Sequence, residues 1–452
     1  MRITEVKTLV VHAFLCNWVF VKLCTDAGLT GVGKGIRNAF WMLIACPLLF
    51  GQPKVVAPKF DPEANKIIST DRADGRYVST RGCVQYLLRH AKPRLAFDPT
   101  FSRQELEEWK IRVRSKMREL MRFPEVPIQP PPKLVGREKR DGYRLEKWEI
   151  YPQPGSVVPF LMLIPDSVSL RKPAPAVLCF PGSYRSKEQL AGEAELHPTY
   201  TVARNAERNH MALFYAKRGM VAVAVDNPGV AESSDLERFG RAPAYERDGF
   251  SRYLIDMGWH YLGLSAFQST QILTWMKTRA FIDRNRIALS GHSFGTEPLM
   301  AIGVLDPDIR AFVFNDFVCR TIKRATVSTK PSDAGVRPVV NFLPHCVPGL
   351  WEWFDYPDLL ASLAPRPLIL TEGGATRDLD LLKKAYQIMG AGDKISVYYY
   401  PKYSDPSTRR DYAEIPEGLD QNEWFQYVNV DQPNHYFKRD IAVPWLSGVF
   451  FR

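Results

Sequence analysis

A hydroxyl becomes a useful nucleophile when the backbone holds it clear of its surroundings. Residues 286–305, RIALSGHSFGTEPLMAIGVL, have the form that does this. A β-rich run ends in Gly291-His292-Ser293-Phe294-Gly295, and a helix-forming run follows. In such a strand–turn–helix the serine occupies a strained position, and glycine stands on either side because a side chain there collides with neighbouring backbone. The helix that starts behind it favours developing negative charge. Serine is weakly nucleophilic at neutral pH, so this chemistry needs a base, a carboxylate to orient the base, and two fixed N–H donors for an oxyanion. It is the chemistry of acyl transfer, and it calls for no metal or cofactor. No HExxH or comparable ligand cluster is present.

On that elbow, residues 145–452 resemble the α/β-hydrolase superfamily, and within it the acetylxylan-esterase and dienelactone-hydrolase branch. VLCFPGSYRSKE is similar to its strand-3 loop, VAVDNPGVAESS to its strand-4 loop, and LASLAPRPLILTEGG to the strand before its acid loop. The resemblance implies the chain order Ser, acid, His. It assigns Ser293 as nucleophile and His435, in QPNHYF, as base; no other histidine follows His345. The acid is expected in TEGGATRDLD, with Asp378 the first choice, Asp380 and Glu372 the alternatives there, and Asp316 of FNDF a further alternative after strand 6. The oxyanion donors implied are the amides of Phe294 and of Ser183 in Gly182-Ser183-Tyr184. Pro181, where this branch often has His, has no N–H to offer. The expected substrate is an acylated carbohydrate such as acetylated xylan. Trp351 and Trp353 of NFLPHCVPGLWEWFD, with Tyr184, are candidates to stack on sugar rings; a packed insertion over the sheet is the competing reading.

These groups need a scaffold, and the pattern supplies one. From about residue 145 apolar runs alternate with helical segments. Strands are expected at 146–151, 160–164, 176–180, 221–225, 286–289, 311–314, 367–371 and 395–400, and helices at 205–218, 265–278, 294–305 and 380–389. Ser265 and Gln268 read as a capping box. Continuous apolar strands separated by helices predict an α/β fold with an eight-stranded, mostly parallel sheet covered on both faces. Upstream, Ser102 and Glu105 cap a helix whose apolar face is Leu106, Trp109, Val113, Met117 and Leu120. IQPPPK then makes a stiff connector. The expected domains are 1–53, 54–144 as a helical lead-in, and 145–452 as the catalytic domain.

Residues 1–35 read as a β-hairpin. MRITEVKTLVV and NWVFVKLCTDAGLTGVG resemble the start of the enolase superfamily in its sugar-acid dehydratase branch. That family's barrel has no counterpart downstream, so a fusion fragment is the reading. Ala39–Gly51 reads either as a buried apolar segment or as a relic signal segment, which leaves cytoplasmic and exported locations open. No apolar run reaches the ~18 residues of a membrane span. The 452 residues carry 60 Lys+Arg against 49 Asp+Glu, a net charge of +11, of which +7 falls in residues 81–150, much of it on a helix that alternates with Glu. That is a solvated face rather than a nucleic-acid patch. Seven cysteines without a CxxC pair are free thiols, not a zinc ribbon or disulfide framework. The competing readings are a serine peptidase of prolyl-oligopeptidase type, for which residues 1–145 are too short to build the usual propeller, and a catalytically silent binding protein.

Overall fold

The computed structural model describes residues 2–13, 16–28, 30–34, 70, 72–183, 185–193, 206–234, 244–331, 340–410 and 415–451. Two compact units are present, residues 1–61 and 62–452. In the first, β1 (Ile3–Ala13), β2 (Cys16–Thr25) and β3 (Thr30–Lys34) form an antiparallel sheet in the order β1-β2-β3. Ala39–Gly51 lies outside the described residues.

The second unit is built on a nine-stranded sheet. Its strands are β4 (Lys133–Arg140), β5 (Tyr143–Ile150), β6 (Val158–Pro165), β7 (Ala174–Phe180), β8 (Val221–Val225), β9 (Ile282–His292), β10 (Ala311–Asn315), β11 (Leu368–Leu370) and β12 (Ile395–Val397). The order is β12-β11-β10-β9-β7-β8-β6-β5-β4, with the six strands from β12 to β8 parallel and β6, β5 and β4 added antiparallel. The extra strand relative to the expected eight is β4. Its sequence, KLVGREKR, is largely exposed, so no apolar pattern announces it.

Strand alternation distributes the core over two faces. Ala176, Leu178 and Phe180 of β7 point into one apolar layer, and Val177 and Cys179 into the other. The first layer is covered by α2 (Arg103–Met121), α3 (Tyr261–Lys277), α4 (Thr296–Leu305) and α6 (Thr376–Ile388), and the second by α7 (Arg439–Phe451). Two further helices are α1 (Thr80–His90) and α5 (Thr321–Val327). The α2 capping box forms between Ser102 and Glu105, and Leu106, Trp109, Val113 and Met117 are buried as the spacing predicts. The Ser265–Gln268 capping box does not form. Helix α3 starts a turn earlier, where His260 Nδ1 accepts from the Gly263 amide at 3.0 Å, and Ser265 lies buried within the helix. Cys24, Cys83, Cys179, Cys319 and Cys346 are free.

Candidate active site

Strand β9 ends at His292 and α4 begins at Thr296, so the chain reverses within three residues. Ser293 takes the strain at φ +53°, in the left-handed region that β-carbon-bearing residues avoid. The two glycines are demanded by packing. A Cβ on Gly295 would stand 2.4 Å from the Phe180 carbonyl oxygen at the end of β7, and one on Gly291 would stand 2.4 Å from the Gly295 carbonyl oxygen. Thr296 Oγ1 donates to the Ser293 carbonyl at 2.7 Å and locks the turn. Ser293 lines a cavity of about 260 Å³ together with Ser183, Phe294, Asp316, Arg324 and His435.

His435 follows a short 3₁₀ turn at Gln432–Asn434 and precedes α7. Its Nδ1 lies 2.6 Å from Glu372 Oε2. With Nδ1–H given to the carboxylate, Nε2 is the nitrogen left to accept a proton. Glu372, just beyond β11, is fully buried. The same oxygen accepts from the Tyr400 hydroxyl at 2.6 Å, and Oε1 accepts from Lys438 Nζ at 2.6 Å and Asn315 Nδ2 at 3.2 Å. Burial by itself pushes the Glu372 carboxyl up, but the His435 and Lys438 charges outweigh it and hold the group down at about 2. Burial likewise pulls His435 down, and the Glu372 carboxylate, with Asp316 adding to it, overrides this and raises the imidazole to about 9. His292, its ring 4.8 Å from that of His435, is held well below its usual value by burial first and His435 second, so it stays neutral.

The alternative acids lie elsewhere or act differently. Asp378 does not meet His435. It sits in the first turn of α6, where its Oδ2 accepts from the Arg320 amide at 2.9 Å and its Oδ1 stands 3.4 Å from Arg320 Nε. Asp380 is exposed and pairs with Lys383 at 2.9 Å. Asp316 does reach the site. Burial raises its carboxyl to about 6 against the opposing pull of His435. Donor atoms of Asp316, Glu372 and His435 lie within 4.8 Å of one another, a spacing that can hold a cation. Lys438 already places a positive charge against Glu372, and both Glu372 oxygens are engaged, so these residues fit a metal ion poorly. Lys438, Tyr400 and Asn315 escaped the sequence reading. The detectable signal was Lys438, three residues after the only late histidine.

The loop after β7 approaches the elbow closely: a Cβ on Gly182 would stand 3.4 Å from Ser293 Cβ. Asn227, beyond β8, donates from Nδ2 to the Pro181 carbonyl at 3.2 Å and the Gly182 carbonyl at 3.1 Å. A trans peptide points its C=O and N–H oppositely. Holding the Gly182 carbonyl toward Asn227 therefore directs the Ser183 N–H away from it. Lys187, wholly buried, ties the same loop to Asp226 through its amide at 2.7 Å and its Nζ at 2.8 Å.

Of the expected aromatic platform, Trp351 and Trp353 are not among the described residues lining this cavity. Trp353 packs under Lys116, 3.9 Å from the ring centroid, and Arg94 at 5.0 Å. Trp351 donates Nε1–H to Thr321 Oγ1 at 2.8 Å and lines a neighbouring cavity instead. Tyr184 lies outside the described residues.

Comparison with known proteins fits this geometry. The model of the abhydrolase family matches residues 59–448. A Bacteroides fragilis protein assigned as an acetyl xylan esterase is 48% identical, with 86% of this chain and 100% of that one aligned at a TM-score of 0.82. More distant solved structures include a methylesterase at 17% identity, 79% and 71% coverage and TM-score 0.48, and a glucuronoyl esterase from Solibacter usitatus at 13% identity, 68% and 92% coverage and TM-score 0.42. None of the curated proteins matches the chain. A strand-to-helix elbow on a mostly parallel sheet, matched over most of its length by one family model, places the chain in the abhydrolase family.

Proposed function

We propose that the protein is a serine carboxylic-ester hydrolase that works through an acyl-enzyme, with Ser293 as nucleophile, His435 as base and Glu372 as the orienting acid. The observation that carries this reading is the 2.6 Å bond between His435 and the buried Glu372, with His435 and the strained Ser293 lining one cavity. Glu372 thus replaces Asp378 as the proposed acid.

His435 Nε2 takes the Ser293 hydroxyl proton as Oγ attacks the ester carbonyl. The tetrahedral oxyanion rests on the Phe294 and Ser183 amides. His435 then returns the proton to the leaving alcohol, and water repeats the sequence on the acyl-enzyme. Asp316 adds negative charge beside the imidazolium that forms. An acylated carbohydrate, such as acetylated xylan, is the proposed substrate; the 48% identical protein with that assignment supports it.

Labelling with a fluorophosphonate probe and mapping the adduct tests the mechanism. The adduct is expected on Ser293, absent in Ser293→Ala and strongly reduced in His435→Ala. Unlabelled folded protein refutes it. Acetate release from acetylated xylan, compared with peptide cleavage, then separates the esterase from the peptidase.

A further inference from the structure

Arg324 of α5 is half-buried and lines the same cavity as Ser293 and His435. Its guanidinium makes no ion pair and no hydrogen bond among the described residues. The contact it does make is with an aromatic ring: Cζ stands 5.9 Å from the centroid of Phe425, itself a wall of the cavity. Its charge also reaches Cys319, a further wall. Burial pushes that thiol up, and the Arg324 charge is the first to oppose it. The guanidinium thus belongs to the cavity and not to the outer face of the helix.

The other charged walls have partners. His345 Nδ1 lies 2.5 Å from Glu297 Oε1, and His435 Nδ1 lies 2.6 Å from Glu372 Oε2. Asp316 accepts from the Phe317 amide at 2.8 Å and is attracted by His435. Arg320, one turn before Arg324, shows how this segment treats an arginine with a structural task. Its guanidinium takes both oxygens of the buried Asp358 at 3.0 Å and reaches Asp378. Partial burial strips water from a charge, and a counter-ion ordinarily offsets that loss. None of the described residues supplies one to Arg324, which leaves the molecule that enters the cavity as its source. A guanidinium is a planar fork that a carboxylate matches with two parallel hydrogen bonds. Asp316 in the same cavity limits how much negative charge is tolerated, so a single charge suits the site better than a dianion.

We infer that Arg324 is a specificity-determining residue, and that the ester substrate carries a free carboxylate held by the Arg324 guanidinium while the ester carbonyl lies at Ser293. The inference rests on the ester-hydrolase reading for the place of the ester and narrows that substrate to esters bearing this charge. Recognition of the carboxylate is a binding event and does not require turnover.

The test compares 3- and 4-acetoxybenzoate with the corresponding acetoxybenzamides, which match them in shape and lack the charge. With the full-length protein, kcat/KM should be about tenfold higher for at least one carboxylate than for its amide, and in Arg324→Gln this ratio should fall to about one. Arg324→Glu should invert the preference, so that 3-(trimethylammonio)phenyl acetate becomes the better substrate by about tenfold, a reversal that a merely structural arginine would not produce. Circular dichroism checks the fold of each variant. Titration calorimetry with the acetamidobenzoates and acetamidobenzamides, in which an amide replaces the ester, reads the same preference without hydrolysis. Equal binding of the charged and neutral compounds, or a preference that persists in Arg324→Gln, overturns the inference. Failure of the ester-hydrolase reading looks different: ester turnover would survive Ser293→Ala while calorimetry still shows the Arg324-dependent preference for the carboxylate.

Discussion

A carboxylate sealed from water stays ionised only while cations and donors surround it. Glu372 has two cationic neighbours, His435 and Lys438, and two neutral donors, Tyr400 and Asn315. Glu372→Gln keeps the shape but loses the charge that orients and stabilises the His435 imidazolium, so kcat should fall by about 10³–10⁴-fold with KM little changed, read by steady-state kinetics on a small acetate ester. Asp378→Asn should leave the rate nearly intact and instead lower unfolding stability by about 1–3 kcal/mol in denaturant melts, because it loosens the Arg320 contacts. The raised His435 value also fixes a pH profile. The neutral imidazole is the active form, so kcat/KM should climb with pH along a limb whose midpoint lies above 6.5 and toward 9. A plateau already reached at pH 6 would contradict the pairing. The linked stability has the opposite sense: the His435–Glu372 pair contributes fully between the unfolded carboxylate and histidine values, fades as pH rises through about 9, and is lost again as pH falls toward about 2.

At the scale of elements, what could be read in the sequence was whatever burial on both sheet faces or a tight turn forces. Strands β6, β7, β8 and β10 are almost continuously apolar because helices cover both sides, and the elbow glycines are fixed by backbone contacts that no other residue satisfies. Gly295→Ala should therefore abolish soluble folding or cost more than about 4 kcal/mol in a urea melt, since the obstructing atom is the Phe180 carbonyl and not a side chain that can yield. The acid could not be chosen in this way. Gly373 at φ +64° and Gly374 at φ +140° turn the chain sharply straight after Glu372, so the strand-proximal carboxylate faces the site while α6 carries Asp378 away. Spacing along the chain cannot distinguish these two carboxylates; only the turn does. Asn227 was invisible for a related reason, because its partners are the carbonyls of a loop some 45 residues earlier. Asn227→Ala should lower kcat on a small ester by about tenfold to a hundredfold while leaving KM nearly unchanged, the signature of a donor amide no longer aimed at the oxyanion.

For the molecule as a whole, the two units have different architecture, a three-stranded antiparallel sheet in one and a nine-stranded mixed sheet in the other. The family match begins at residue 59, close to the boundary between the units. The basic character of residues 81–150 also has a place in the architecture. A sheet that does not close on itself leaves its last strands with free peptide groups, which invite a neighbouring molecule to add on and start a fibre. One margin of this sheet ends in β12, only three residues long. The other ends in β4, where Lys133, Arg137, Lys139 and Arg140 stand along a strand broken by a bulge between Leu134 and Gly136. The kinked backbone makes that margin a poor template for a neighbouring strand, and the charged side chains along it are tied back onto this molecule, Arg137 to Glu146, Lys139 to Asp166 and Arg140 to Glu193.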